Sequence, residues 1–98
     1  MSKEELQIYI RQLDHQEPEA RYWAVVYLER AADPESVPAL MQALNGEDLY
    51  LQGGAAKALG AIGPAASAAI PALTECLQHE DAWVCKCAEY ALEKIRGK

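Results

Sequence analysis

The chain carries two histidines, three cysteines and fifteen carboxylic acids, and these side chains could move protons, hold a metal or attack a substrate. Cys85 and Cys87 are two residues apart, so on a helix they project about 200° from each other and cannot clasp one metal. Cys87 falls where the surrounding pattern wants alanine and reads as a small buried side chain. Cys85 is the candidate reactive thiol. His15 and His79 occupy corresponding turns separated by about 20 Å, at 8–10 Å per helix layer, and are not co-ligands. The acids sit singly at helix starts, where capping accounts for them. There is no Ser-His-Asp set, glycine-rich phosphate loop or zinc signature. No catalytic residue, metal or cofactor is therefore expected.

Composition narrows the partners. Hydrophobic residues make up 51% of 98 residues, many of them alanine, with no phenylalanine. Small residues at regular intervals suit closely packed helices, and the length suits one domain. Fifteen acidic against nine basic side chains give a net charge of -6, with no cluster of lysine or arginine. That balance argues against nucleic acid and anionic membrane, because phosphate binding needs a positive face. No run approaches 18 apolar residues, and MSKEELQ has no signal-peptide core. An odd cysteine count without C-x-x-C spacing fits a reducing compartment. The expectation is a cytoplasmic protein whose partner is another protein.

A repeat organises the chain. Leu51, Ala55, Ala58, Leu59 and Ile62 form a stripe of helical period. The same stripe returns 33 residues later as Val84, Ala88, Ala91, Leu92 and Ile95, and 31 residues earlier as Ala20, Ala24, Tyr27, Leu28 and Ala31. Glu47-Asp48 returns as Glu80-Asp81 and, degraded, as Gln16-Glu17. The spacing predicts a first helix over 3–13 and a second from Pro18 to about Ala32. Asp33-Pro34 opens a third that ends at Asn45-Gly46, and Asp48 caps a fourth that stops at Gly63-Pro64. A fifth carries Ile70, Leu73 and Leu77, and Asp81 caps a sixth that runs to the basic C-terminal end. Pro38 and Pro71 fall at the same offset inside the third and fifth helices, which makes them a device of the repeat.

Val37-Pro38-Ala39-Leu40, Ile70-Pro71-Ala72-Leu73 and the run Ala55 to Pro64 together resemble HEAT-like repeats, in the short form named after phycobilisome lyases. The resemblance implies an all-α fold. It would be a three-repeat, right-handed α-solenoid of six antiparallel helices, with repeats at about 3–32, 33–63 and 64–96 in one domain. Second helices would line the concave side. Such repeats mostly hold other proteins; a minority handle bilin chromophores, and one group excises DNA bases, which the acidic composition here opposes. They also place an arginine four residues after the capping acid, building an Asp–Arg ladder. Arg21 follows Glu17, but Gln52 follows Asp48 and Cys85 follows Asp81, so the ladder is expected once at most.

Offsets 19, 22 and 26 of the second helices share one face. They read Glu19, Tyr22, Val26; then Tyr50, Gly53, Lys57; then Trp83, Lys86, Tyr90. The expectation is a partner-binding groove anchored by Tyr22, Tyr50, Trp83 and Tyr90, with Glu19, Lys57 and Lys86 setting charge complementarity. The plainer reading of Tyr22 and Trp83 is that they cover helix seams. Trp23 is expected to fill the hollow left by Gly54. Glu47 to Gly53 resembles the Glu-x-x-Tyr-x-Gln-Gly site of a potyviral protease, expected to stay uncut inside a helix. The first helix carries more apolar residues than one face can bury, so self-association through the solenoid end faces is a further expectation. The leading reading is a non-catalytic protein-binding scaffold. The alternatives are an accessory in bilin attachment using Cys85 or Cys87, and a built repeat scaffold.

Overall fold

The computed structural model describes residues 2–97, and among them every regular element is helical. The α-helices are α1 (Lys3–Gln12), α2 (Pro18–Ala31), α3 (Val37–Leu44), α4 (Leu49–Ile62), α5 (Ile70–Cys76) and α6 (Ala82–Arg96). Each start has a local cause. Ser2 and Glu5 cap α1 reciprocally, side chain to backbone in both directions. Pro18 opens α2, where its missing N–H is not needed. Asp48 Oδ1 accepts the Leu51 N–H, and Asp81 Oδ1 accepts those of Trp83 and Val84. The ends are set by backbone conformation: α4 stops at Gly63 (φ 80°) and α6 at Gly97 (φ 78°). Helix α2 ends at Ala32, which takes the left-handed conformation (φ 48°) without being glycine.

The prolines correct one expectation. Neither Pro38 nor Pro71 interrupts the middle of an α-helix. Short 3₁₀ segments, Pro34–Ser36 and Gly63–Ala69, come first, and each proline takes the second position of the α-helix that follows. A proline there lacks only an N–H that has no partner one turn back, so the kink coincides with the change of helix type. Asp33 holds the first segment, accepting from Glu35 N–H at 2.9 Å while the buried Ser36 hydroxyl donates to the Asp33 carbonyl at 2.7 Å.

The helices pack in succession, α1 on α2, α3 on α4 and α5 on α6, while α2, α4 and α6 lie side by side. The molecule measures 32 × 26 × 16 Å, and the short dimension matches two helix layers. Leu6, Leu28, Leu40, Leu59, Leu73 and Val84 are almost wholly buried between them. Each contributes about 1.5–3 kcal/mol by leaving water. Helix α4 is the central element: eight of its core positions from Leu51 to Leu59 are buried, with Lys57 alone reaching out. The unbroken helical run Leu49–Cys76 is long and apolar enough by composition to cross a membrane. It bends at the 3₁₀ segment, however, and its apolar residues are the protein core.

One stripe differs from its expected form. Val84, Ala88, Ala91, Leu92 and Ile95 are all buried, but in α2 Tyr27 is 37% exposed and Val25 is buried instead. Helix α2 is apolar around most of its circumference, so its periodicity does not single out one face. On α1, Leu6 is buried, as is Leu13 just past its end, while Tyr9 and Ile10 are half-buried and Ile8 is exposed.

Candidate functional site

The position four residues after the acid that precedes each second helix (Glu17, Asp48 and Asp81, of which only the two aspartates cap through their side chains) does the same work in all three helix pairs, with three different side chains. Arg21 Nη1 donates to the His15 and Gln16 carbonyls at 2.7 and 3.1 Å. Gln52 Nε2 donates to the Gly46 and Leu44 carbonyls. The Cys85 thiol points at the carbonyls of His79, Leu77 and Cys76, at 3.0, 3.5 and 3.6 Å. Each side chain thereby satisfies carbonyls left open at the end of the preceding helix or in its turn. Arginine reaches further. Its Nη2 and Nε bind Asp48 Oδ2 at 3.1 and 3.3 Å, the one rung of the expected ladder. Glutamine is too short for the next rung, and Gln52 Oε1 is left buried without a partner.

The histidines are turn residues, as the spacing indicates. His15 Nδ1 accepts from the Glu17 N–H at 3.0 Å, and His79 Nδ1 from the Asp81 N–H at 2.9 Å. Cys76 and Cys87 are buried, and burial pushes both thiols up from their ordinary value. Cys85 is half-buried and all three cysteines are free. No group of three or more metal-ligating side chains occurs among the described residues.

Aromatic side chains run across the row of second helices. Tyr9 of α1 stacks on Tyr27 at 4.6 Å between ring centroids, Tyr27 is 6.4 Å from Trp23, and Trp23 meets Tyr22 edge-on at 5.0 Å. Tyr22 then contacts Tyr50 of α4 at 4.9 Å, and Tyr50 contacts Trp83 of α6 at 5.5 Å. Such pairs are worth about 0.5–1.5 kcal/mol each beyond their buried area. The neighbouring Tyr22 pushes the Tyr50 hydroxyl up from its ordinary pKa. Trp23, Tyr27, Tyr50, Trp83 and Tyr90 remain 37–49% exposed, so the track is open to solvent. Tyr22, Tyr50 and Trp83 are thus brought together; Tyr90 lies two turns along α6 from Trp83, beneath Lys94 at 5.7 Å. Trp23, Tyr27 and Tyr9 belong to the same track and were not among the expected anchors.

Trp23 does not fill the hollow at Gly54, because that hollow holds Val25: a Cβ on Gly54 would lie 2.5 Å from Val25 Cγ1. Trp83 presses onto Gly53 so closely that a Cβ there would enter its ring. A Cβ on Gly60 would come 2.9 Å from Ala91 Cα and 3.0 Å from the Tyr90 ring. The roughly 1 kcal/mol that each glycine costs a helix is offset by this close approach. Gln52 and Gly53 are buried within α4, so the protease-like sequence is not presented as an extended segment.

Two hollows flank the track. One, of about 310 Å³, is walled by Pro18, Glu19, Tyr22, Asp48 and Tyr50. The other, of about 210 Å³, is formed by Lys57, Trp83, Lys86, Cys87 and Tyr90. Val26 is half-buried beside Val25 and lines neither.

Stacked helix pairs with a shared core, turn carbonyls closed from one repeated position and an Asp–Arg rung define an α-helical repeat protein. A family model for HEAT repeats matches residues 6–93, and the chain belongs to that family. No curated protein matches it. Among solved structures, it is similar to a chain in the complex of CpcE and CpcF of phycocyanin lyase from Nostoc sp. PCC7120. The identity is 30% and the TM-score 0.84, over 93% of this chain and 37% of that one. It is also similar to an engineered protein, at 27% identity and a TM-score of 0.75, over 93% of this chain and 45% of that one. The chain therefore spans less than half the length of either neighbour.

Proposed function

We propose that this protein is a non-catalytic binding module that holds another protein against the exposed face of α2, α4 and α6. The observation that carries the reading is the aromatic track from Tyr27 to Trp83, which crosses all three helices and keeps its rings in water. Exposed aromatics in a connected patch supply large contact area at little rotamer cost. Tyr22, Tyr50, Trp83 and Tyr90 act as anchors, joined by Trp23 and Tyr27, with Glu19, Lys57 and Lys86 at the margins. The likeness to a chain from a two-protein lyase complex supports a protein partner. A cytoplasmic setting goes with this reading, since Cys76, Cys85 and Cys87 are unpaired.

The test is capture of a partner from native cytosol by the wild type beside a Trp23→Ala/Tyr50→Ala variant, both checked for helix content by circular dichroism. A partner held by the wild type and lost by the folded variant supports the reading. Equal capture by both would move the interface off this face.

A second reading, an accessory role in bilin attachment, draws on the lyase likeness. It requires a thiol that meets the chromophore. An absorption change on mixing with a linear tetrapyrrole, abolished in Cys85→Ser or Cys87→Ser, is its signature. A built repeat scaffold, for which the likeness to an engineered protein speaks, predicts neither partner nor absorption change.

A further inference from the structure

The hollow between α4 and α6 has a construction that the aromatic track alone does not require. On α4, Gly53, Lys57 and Gly60 follow each other at i, i+4 and i+7, along one face. On α6, Trp83, Lys86 or Cys87, and Tyr90 follow the same spacing. The two sets interlock. Trp83 is seated on Gly53 closer than any Cβ would permit, and the Tyr90 ring lies 3.0 Å from where a Cβ on Gly60 would stand, a tight contact. The glycines therefore fix the two aromatic walls before anything binds. Between the walls stand Lys57, half-buried, and Lys86, exposed, with buried Cys87 at the base. Neither lysine has an ion-pair partner among the described residues, where Lys3–Glu35 and Arg21–Asp48 are the pairs present. No carboxylate lines the hollow. Glu29 and Asp81 act on Cys87 from outside the lining, so the two unpaired ammonium groups between the aromatic rings are the charges that an occupant of the hollow meets directly.

The geometry points to a seat for an acidic anchor of the partner protein: a glutamate or aspartate carboxylate held by Lys57 and Lys86, with an adjacent apolar side chain laid against Trp83 and Tyr90. The occupant is a protein segment and not a free small molecule for two reasons. At about 210 Å³ the hollow is smaller than the roughly 300–1,000 Å³ of drug-sized ligand sites. It is also continuous with the aromatic track, since Trp83 is at once a wall of the hollow and the neighbour of Tyr50 at 5.5 Å. At the other end of the track the larger hollow holds Glu19 beside the Arg21–Asp48 ion pair, so the free charge there is the Glu19 carboxylate, opposite in sign to the two lysines. This inference rests on the proposed binding face and names the chemistry of what it receives.

The test uses two blocked peptides, acetyl-Leu-Phe-Glu-Leu-amide and its glutamine counterpart, titrated into the full ¹⁵N-labelled chain at low salt. The glutamate peptide is expected to shift the Trp83 indole and the amides of residues 57, 86 and 90, binding at least fivefold more tightly than the glutamine peptide. The preference should shrink as salt rises. It should vanish in Lys57→Met/Lys86→Met, which keeps the apolar stems, and persist in Lys57→Arg/Lys86→Arg. Equal affinity for the two peptides, or a preference that survives the methionine pair, overturns the acidic seat. Shifts confined to Tyr22, Trp23 and Tyr50, equal for both peptides, would remove the seat while leaving the wider face standing. No shift anywhere on the three helices counts against both.

Discussion

The Arg21 guanidinium crosses from α2 to the Asp48 carboxylate at the head of α4, with Nη2 3.1 Å and Nε 3.3 Å from Oδ2. The two oxygens of Asp48 divide their work. Oδ1 caps the helix through the Leu51 N–H, and Oδ2 ties that helix to its neighbour. A single side chain thus links local helix initiation to the stacking of successive pairs.

Replacing Arg21 with Gln should keep a donor for the turn carbonyls and lose the rung. The side chains of Arg21 and Asp48 are 23% and 33% exposed, so solvent screens the pair in part. The expected loss is about 1 kcal/mol. A fall of roughly 4–8 °C in Tm would register it. An Arg21→Gln/Asp48→Asn cycle isolates the pair, because asparagine retains the cap. Additive losses would show that the rung contributes nothing.

The next rung can be built. Asp81 uses only Oδ1 to cap Trp83 and Val84, leaving Oδ2 in the role that Asp48 Oδ2 gives to Arg21. Gln52, 8% exposed, occupies the place of Arg21 and leaves its Oε1 unsatisfied. Gln52→Arg should retain the donation to the turn carbonyls, remove the orphaned oxygen and pair with Asp81. Thermal melts should show a gain of about 1 kcal/mol. A loss of stability would mean that the guanidinium cannot reach Asp81 and lies buried without a partner.

Much of this was legible in sequence because it depends on period. The 33-residue echo placed Tyr50 and Trp83 on one face before any contact was known, and the capping acids and turn histidines followed from type and position. What was not legible depends on distances between helices. Nothing in the order of residues says that Gln52 and Cys85 close the same turn carbonyls as Arg21, since the three share no chemistry except a donor. Val25 displaced Tyr27 from the core of α2 because its branch fits the hollow at Gly54, a match between residues 29 apart. Trp23 and Tyr9 joined the aromatic track for the same reason: stacking follows from the helix crossing, which the stripe alone does not specify.

Thiol reactivity should sort the cysteines. Burial raises the folded pKa of Cys76 and Cys87 above the ordinary 9.0, so both remain protonated at pH 8. The sign is that of a group raised on folding: its contribution to stability is complete below the unfolded pKa and is lost as pH rises through the folded one. With an aromatic disulfide reagent at pH 8, one thiol should react first, and Cys85→Ser should abolish that phase. The other two should react only when urea unfolds the chain. Prompt reaction of two or three thiols in the native protein would contradict this packing.

Adding a methyl to the glycines of α4 sets helix propensity against packing. Each Gly→Ala change gains about 1 kcal/mol of helix preference if nothing moves. At Gly60 the new Cβ meets the Ala91 backbone at 2.9 Å, which can yield only by separating α4 from α6, the most extensive helix contact in the molecule. Overpacking of this kind costs about 1–3 kcal/mol, so Gly60→Ala should destabilise on balance. At Gly54 the obstacle is a Val25 methyl at 2.5 Å, and Val25→Ala removes it. Gly54→Ala should therefore be destabilising alone and less so, or stabilising, in the Val25→Ala background, whereas Gly60→Ala should cost the same in both. Urea midpoints of the wild type, the three single variants and the two doubles measure the difference. Equal costs at Gly54 in the two backgrounds would show that Val25 does not occupy that hollow, and the register of α2 on α4 would have to change.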